Sequence, residues 1–142
     1  MTYITHGEEE TEAVAMALAK DFLPPAVFLL FGDLGAGKTA FTRGLAKGYG
    51  FLGRVTSPTF TLMHQYAAEQ VTINHWDLYR LADADELYDI GFDEFCGSGV
   101  SVVEWPDKFL DDMPDGAVWV TIKKNGEESR EITVEERGKA QI

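Results

Sequence analysis

The stretch Ala26-Val27-Phe28-Leu29-Leu30-Phe31-Gly32-Asp33-Leu34-Gly35-Ala36-Gly37-Lys38-Thr39 decides the fold. It opens on a continuous apolar run, the pattern of a strand buried on both faces of a sheet. That run is far too short to cross a bilayer. Gly32 to Thr39 then fit Gly-x-x-x-x-Gly-Lys-Thr without deviation. A helix is expected from Lys38 to about Tyr49, with Phe41 and Leu45 inward and Gly50 as its stop. Strand, glycine loop and helix follow one another in the order a phosphate-binding loop needs.

The residue types in the loop have physical reasons. Gly35 and Gly37 let backbone amides approach phosphate oxygens with no side chain in the way. The helix that follows aims its positive end at the same place. Lys38 supplies a cation at the β/γ position, and the Thr39 hydroxyl suits a Mg²⁺ ion. The stretch therefore implies binding of a nucleoside triphosphate with Mg²⁺. ATP is the expectation by elimination, because no Asn-Lys-x-Asp segment for guanine and no Asp-x-x-Gly switch is present.

Outward from the loop, charge is unevenly spread. The chain of 142 residues carries a net charge of -12, which disfavours unaided binding to a nucleic acid backbone. Yet residues 34–68 hold no Asp or Glu, and they contain Lys38, Arg43, Lys47 and Arg54. Such a gap suits a polyanion. The chain length fits one domain, 1–142. The N-terminus lacks the pattern of a signal peptide, and the lone Cys96 reads as a small buried hydrophobe in a reducing compartment, so a cytoplasmic protein is expected.

The rest of the chain supplies elements for an α/β fold: a P-loop NTPase core with a mainly parallel sheet flanked by helices. Residues 8–22 read as a helix with Val14, Leu18 and Phe22 on one face and acidic residues at its start. Residues 71–76 and 100–103 read as strands, ending in Asp77 and Glu104. Residues 62–66 look extended, and 84–90 form a short helix stopped by Gly91. Around Asn125-Gly126, residues 117–122 and 130–134 read as a C-terminal antiparallel β-hairpin.

A phosphate-loop enzyme also needs a carboxylate near its metal, at the end of a neighbouring strand. Asp77 and Glu104 both qualify, either one for the metal and the other for orienting water. Ser57, Thr59 and Thr61 are candidates for sensing the γ-phosphate, or for turn chemistry around Pro58. Arg43 and Arg80 suit either transition-state charge or a structural ion pair. His75 reads as a packed or surface residue in its strand rather than a catalytic one, and Trp105 as core or rim beside Glu104.

Six blocks together are more specific than the loop. Gly-Asp-Leu-Gly-Ala-Gly-Lys-Thr (32–39), Phe-Thr-Arg-Gly-Leu (41–45), Ser-Pro-Thr-Phe-Thr-Leu (57–62), His-Trp-Asp-Leu-Tyr-Arg-Leu (75–81), Glu-Leu-Tyr-Asp-Ile-Gly (86–91) and Val-Glu-Trp-Pro (103–106) resemble the TsaE family, formerly YjeE. Trp76 stands where that family more often has Phe. The resemblance implies a small α/β ATPase, weakly active alone, that works with the TsaB–TsaD pair. That pair threonylcarbamoylates an adenosine next to the tRNA anticodon, so contact with tRNA would be indirect.

The resemblance also implies roles. Thr39 and Glu104 match Mg²⁺ ligands, and Asp77 a carboxylate needed for activity. Gly35, Ala36, Gly37, Lys38, Thr39 and Ala40 match the phosphate-binding loop, and the adenine lies near Thr5 to Thr11, with Thr11 in contact. Two other classes remain open. A small-molecule kinase would want an Arg-rich lid, which this chain with four Arg besides Arg43 does not display. A non-catalytic nucleotide sensor would not need Lys38, Thr39 and both strand-end carboxylates.

Overall fold

The structure is a computed structural model that describes residues 1–33, 36–58 and 61–136. Gly35 and Thr59, two of the residues singled out above, lie outside the described residues, as does the tail after residue 136. The described elements run β1 (Thr2–His6), α1 (Glu8–Asp21), β2 (Ala26–Phe31), α2 (Lys38–Gly48), β3 (Met63–Ala67), β4 (Thr72–Asp77), α3 (Ala84–Asp89), α4 (Phe92–Cys96), β5 (Val100–Glu104), the 3₁₀ helix α5 (Asp107–Asp112), β6 (Val118–Lys124) and β7 (Ser129–Glu136).

All seven strands form one sheet in the order β1-β7-β6-β2-β5-β4-β3. The centre is parallel: β2 pairs with β5 and β6, and β4 pairs with β5. Both edges are antiparallel, with β1 on β7, β7 on β6, and β3 on β4. The expected hairpin is therefore present, but it is built into the sheet alongside β2 instead of standing apart from it. The result is a mixed α/β sheet whose parallel part is confined to its middle.

The sheet's two faces explain the apolar run. Phe28 and Leu30 point into one core with α1 and α2, while Val27 and Leu29 point into a second core with α3, α4 and α5. A strand that feeds both cores must be apolar at every position. Helices α1 and α2 approach closely: a Cβ on Gly44 would collide with the Glu12 carbonyl oxygen. At that contact Arg43 and Lys47 both bind Glu12, at 2.9 and 2.7 Å.

Three elements differ from the sequence expectations. In α1 the buried stripe is Thr11, Ala15, Leu18 and Ala19, with Val14 and Phe22 only flanking it. The short strand β1 has no apolar run; it exists because β7 offers an edge, register Thr2↔Thr133 to His6↔Ser129. Helix α4 follows α3 after one residue in the left-handed region, Gly91 at φ 77°, and buries Phe92 and Cys96. Burial pushes the Cys96 thiol up to about 11, so it is the inert hydrophobe its isolation suggested.

Candidate functional site

The strand ends and the start of α2 converge on one cavity of about 580 Å³. Gly37, Lys38, Thr39 and Ala40 line it from the loop and α2. Asp77 enters from the end of β4 and Glu104 from the end of β5. These two are register partners on adjacent parallel strands, which is what brings them together. Thr11 enters from α1, with its buried hydroxyl 2.8 Å from that of Thr5.

Lys38 is the electrostatic centre. It is 6% exposed, and its ammonium has no hydrogen-bond acceptor among the described residues. Glu104 Oε1 stands 4.0 Å away, and the Trp105 ring centroid 3.9 Å. Burial pulls the Lys38 pKa down, while the negative charges of Glu104, Asp77, Asp107 and Asp33 oppose that shift. A buried cation without an acceptor is costly, so the site is arranged for an anion to complete it.

The backbone at this point is similarly open. Gly37 caps α2 at φ 108°, a conformation that excludes ordinary side chains. Among the described residues no side chain caps the helix, and its first turn has no acidic residue. The first amides of a helix lack internal partners, so this end presents unsatisfied donors and a positive dipole to the cavity.

The carboxylates are held in place. Asp77 Oδ1 accepts the Tyr79 amide at 3.0 Å. Glu104 Oε2 meets His75 Nε2 at 2.6 Å. His75 is fully buried and packed, as its strand position suggested, yet its partner is a candidate metal ligand. Its place in the site was legible in one respect: His75 lies two residues before Asp77 in a strand, hence on the same face.

Several sequence-based expectations resolve here. Ala36 packs into the core under α2, and its carbonyl accepts Arg130 Nε at 3.0 Å; its side chain does not line the cavity. Ser57 lines the cavity. Thr61 is exposed and does not line it. Arg43 is a structural ion-pair residue, held by Glu12 and 3.8 Å from Glu8. Arg80 lines the cavity.

The acid-free stretch is thus only partly a site. Of its four cations, Lys38 lines the cavity, and Arg43 and Lys47 serve the α1–α2 contact. The sequence reading missed Arg130, Glu127 and Glu128, which close the cavity from β7 and the turn before it. They are far from the loop in sequence, and only the β6–β7 pairing carries them there.

Comparison with known proteins places this geometry. The profile of the family described as "Threonylcarbamoyl adenosine biosynthesis protein TsaE" matches residues 5–132. The chain belongs to the TsaE family. A relative from Bacillus subtilis, named tRNA threonylcarbamoyladenosine biosynthesis protein TsaE, is 43% identical over 91% of this chain and 81% of its own. One of the same name from Treponema pallidum is 36% identical over 94% of this chain and 99% of its own. The crystal structure of Bacillus subtilis YdiB superposes with a TM-score of 0.77 at 36% identity, covering 99% of this chain and 87% of that one. No helix among the described residues is long and apolar enough to cross a membrane.

Proposed function

We propose that this TsaE-family chain is a Mg²⁺-dependent ATPase of the P-loop type that serves tRNA threonylcarbamoyladenosine formation in the cytoplasm. The relatives' names support the pathway. The observation that carries the ATPase reading is Lys38: a buried ammonium without a hydrogen-bond acceptor among the described residues, at the uncapped N-terminus of α2, facing a cavity with two buried carboxylates. Triphosphate oxygens supply the acceptors that Lys38 and the helix amides lack.

The donor set fits Mg²⁺. The hydroxyl of Thr39 and the carboxylate of Glu104 are hard oxygen ligands on one cavity, and Mg²⁺ needs few protein ligands beside phosphate and water. When bound, the ion neutralises charge on the phosphate oxygens. Asp77, fixed by the Tyr79 amide, is placed to accept a hydrogen bond from an attacking water and orient it. Lys38 holds the β- and γ-phosphates, Gly37 and Ala40 provide backbone contact, and Thr11 borders the base end of the cavity. Ala36 contributes as loop backbone.

Activity alone is slow, and the TsaB–TsaD heterodimer stimulates it. A net charge of -12 suits a subunit that leaves tRNA to that partner. The test is ATP hydrolysis with Mg²⁺, with and without the TsaB–TsaD pair. Stimulation together with co-migration is the expected result. Neither effect would remove the partnership while leaving the nucleotide site standing, and phosphoryl transfer to a metabolite would replace the ATPase with a kinase. Glu104→Ala should cut Mg²⁺-dependent hydrolysis by about 100-fold, the scale of losing a charge-stabilising group. Its nucleotide binding in EDTA should persist. Hydrolysis at the wild-type rate would refute the metal assignment.

A further inference from the structure

The two oxygens of Glu104 face different partners. Oε1 lies toward Lys38 at 4.0 Å, and Oε2 is held by His75 Nε2 at 2.6 Å. The other ring nitrogen of His75, Nδ1, is 3.0 Å from the Tyr66 hydroxyl. The Tyr66 hydroxyl accepts the Thr56 amide at 3.2 Å and lies 2.8 Å from the Thr56 carbonyl. Its one proton serves either that carbonyl or Nδ1, which a neutral His75 donating from Nε2 leaves as an acceptor. The Thr56 amide completes the path when the proton goes to Nδ1. Thr56 directly precedes Ser57, which lines the cavity. An unbroken set of hydrogen bonds therefore runs from the carboxylate to the backbone at the cavity's edge.

The sheet makes this path rigid. Tyr66 pairs with Ile73 and His64 pairs with His75, so Tyr66 and His75 are diagonal neighbours on β3 and β4. His75 pairs with Val102 and Asp77 with Glu104, so His75 and Glu104 are diagonal neighbours on β4 and β5. Diagonal pairs on one face lie within reach of long and aromatic side chains. The three side chains thus cross three strands in a line, with His75 fully buried and Tyr66 5% exposed. His64 adds a second hold on the same segment, its Nδ1 lying 3.1 Å from Thr56 Oγ1.

We propose that His75 and Tyr66 are positioning residues that aim Glu104 at the metal and link its placement to residues 56–58. With Oε2 fixed by His75, Glu104 keeps Oε1 at the cavity, 4.0 Å from the Lys38 ammonium. Any displacement of residues 56–58 by nucleotide moves Thr56, then Tyr66 and His75, and so reaches the carboxylate. The link works in both directions, because coupling between two sites is reciprocal. This inference rests on the Mg²⁺–nucleotide site proposed above.

Three variants separate the links. His75→Ala removes both contacts. His75→Gln keeps a donor near the position of Nε2 and cannot also reach Tyr66. Tyr66→Phe keeps the His75–Glu104 contact and removes the Tyr66 hold on Thr56, leaving that of His64. The readouts are Mn²⁺ binding to the ADP-loaded protein by electron paramagnetic resonance, ADP binding in EDTA by calorimetry, and amide hydrogen exchange at Thr56 and Ser57 with and without Mg²⁺.

Loss of a partner that orients a metal ligand weakens metal binding by roughly 10- to 100-fold, and His75→Ala should fall in that range. His75→Gln should recover most of the loss, and ADP binding in EDTA should stay at the wild-type level in all three. Tyr66→Phe should keep most Mn²⁺ affinity but lose the Mg²⁺-dependent protection of the Thr56 and Ser57 amides. Wild-type Mn²⁺ affinity in His75→Ala overturns the aiming role. Retained Mg²⁺-dependent protection in both Tyr66→Phe and His75→Gln overturns the link, even if His75→Ala does not fold. Failure of the wild type itself to bind ADP would instead overturn the nucleotide site, and that appears before any variant is made.

Discussion

Helices α2 and α3 begin in opposite ways. At α3 the Asp83 side chain accepts the Glu86 amide at 3.1 Å, and Glu86 Oε2 reaches back to the Asp83 amide at 3.4 Å and to that of Ala82 at 2.5 Å. Acidic residues Asp85 and Glu86 fill its first turn. This reciprocal box satisfies the orphan amides locally and meets the positive end of the dipole with negative charge. At α2 the cap is Gly37, no side-chain cap is made among the described residues, and the first turn carries Lys38 and no carboxylate. One terminus is closed by its own sequence, and the other leaves donors and a cation for something the chain does not supply. A helix start that forgoes about 1 kcal/mol of capping and adds a buried positive charge is better explained by a ligand than by folding.

The largest effect should come from removing the cation at the open end. Lys38→Ala is expected to weaken ATP binding by about 100-fold or more, the scale of a charge-assisted hydrogen bond lost from a desolvated site. Calorimetry with ATP and Mg²⁺ checks it. Stability of the nucleotide-free protein should change little, since the Lys38 ammonium has no hydrogen-bond acceptor among the described residues that the variant would lose. A substantial fall in unfolding temperature without nucleotide, with binding intact, would mean that Lys38 serves the fold as Asp83 does.

The closed end predicts the reverse. Asp83→Ala should cost about 1 kcal/mol of stability, as loss of an N-cap does. ATP affinity should be unchanged, because Asp83 and Glu86 do not line the cavity. Urea unfolding and the same calorimetry measure the two quantities. If Asp83→Ala weakened ATP binding as strongly as it weakened the fold, the distinction between the two termini would collapse.

What the sequence revealed follows the same divide between local and long-range causes. The strand Ala26–Phe31, the start of α2 at Lys38 and the strand ends at Asp77 and Glu104 were all legible, because apolar runs, glycines and terminal carboxylates are local signals. Gathering Asp77 and Glu104 needed only the expectation of neighbouring parallel strands. Strand β1 was not legible, since it owes its existence to the edge of β7. Arg130 was missed for a related reason: it reaches the Ala36 carbonyl only through a pairing made at the far end of the chain. His75 carried a visible hint in its two-residue offset from Asp77, but its bond to Glu104 depends on a diagonal between β4 and β5. The cations Arg43 and Lys47 misled in the other direction. Their neighbours in sequence lack acids, whereas their partner Glu12 sits on another helix.

That partner supplies the finest test of the comparison, because it asks whether the second and third turns of α2 belong to the fold while the first belongs to the ligand. Hydrogen bonding to Lys47, aided by Arg43 and opposed by burial, holds the Glu12 carboxyl below the usual glutamate range. A carboxylate whose folded pKa lies below its unfolded value binds fewer protons when folded. Its stabilisation is therefore complete above the unfolded pKa and is lost as pH falls through the folded one. Partial solvent exposure limits the gain, so Glu12→Gln should lower stability at about pH 7 by no more than about 1 kcal/mol. The gap between wild type and variant should close as acid unfolding is approached, because protonated Glu12 resembles Gln in charge. Urea unfolding across that pH range reads the effect directly. ATP affinity should not follow it: if Glu12→Gln changed binding as Lys38→Ala does, Arg43 and Lys47 would have to be counted with the phosphate site after all.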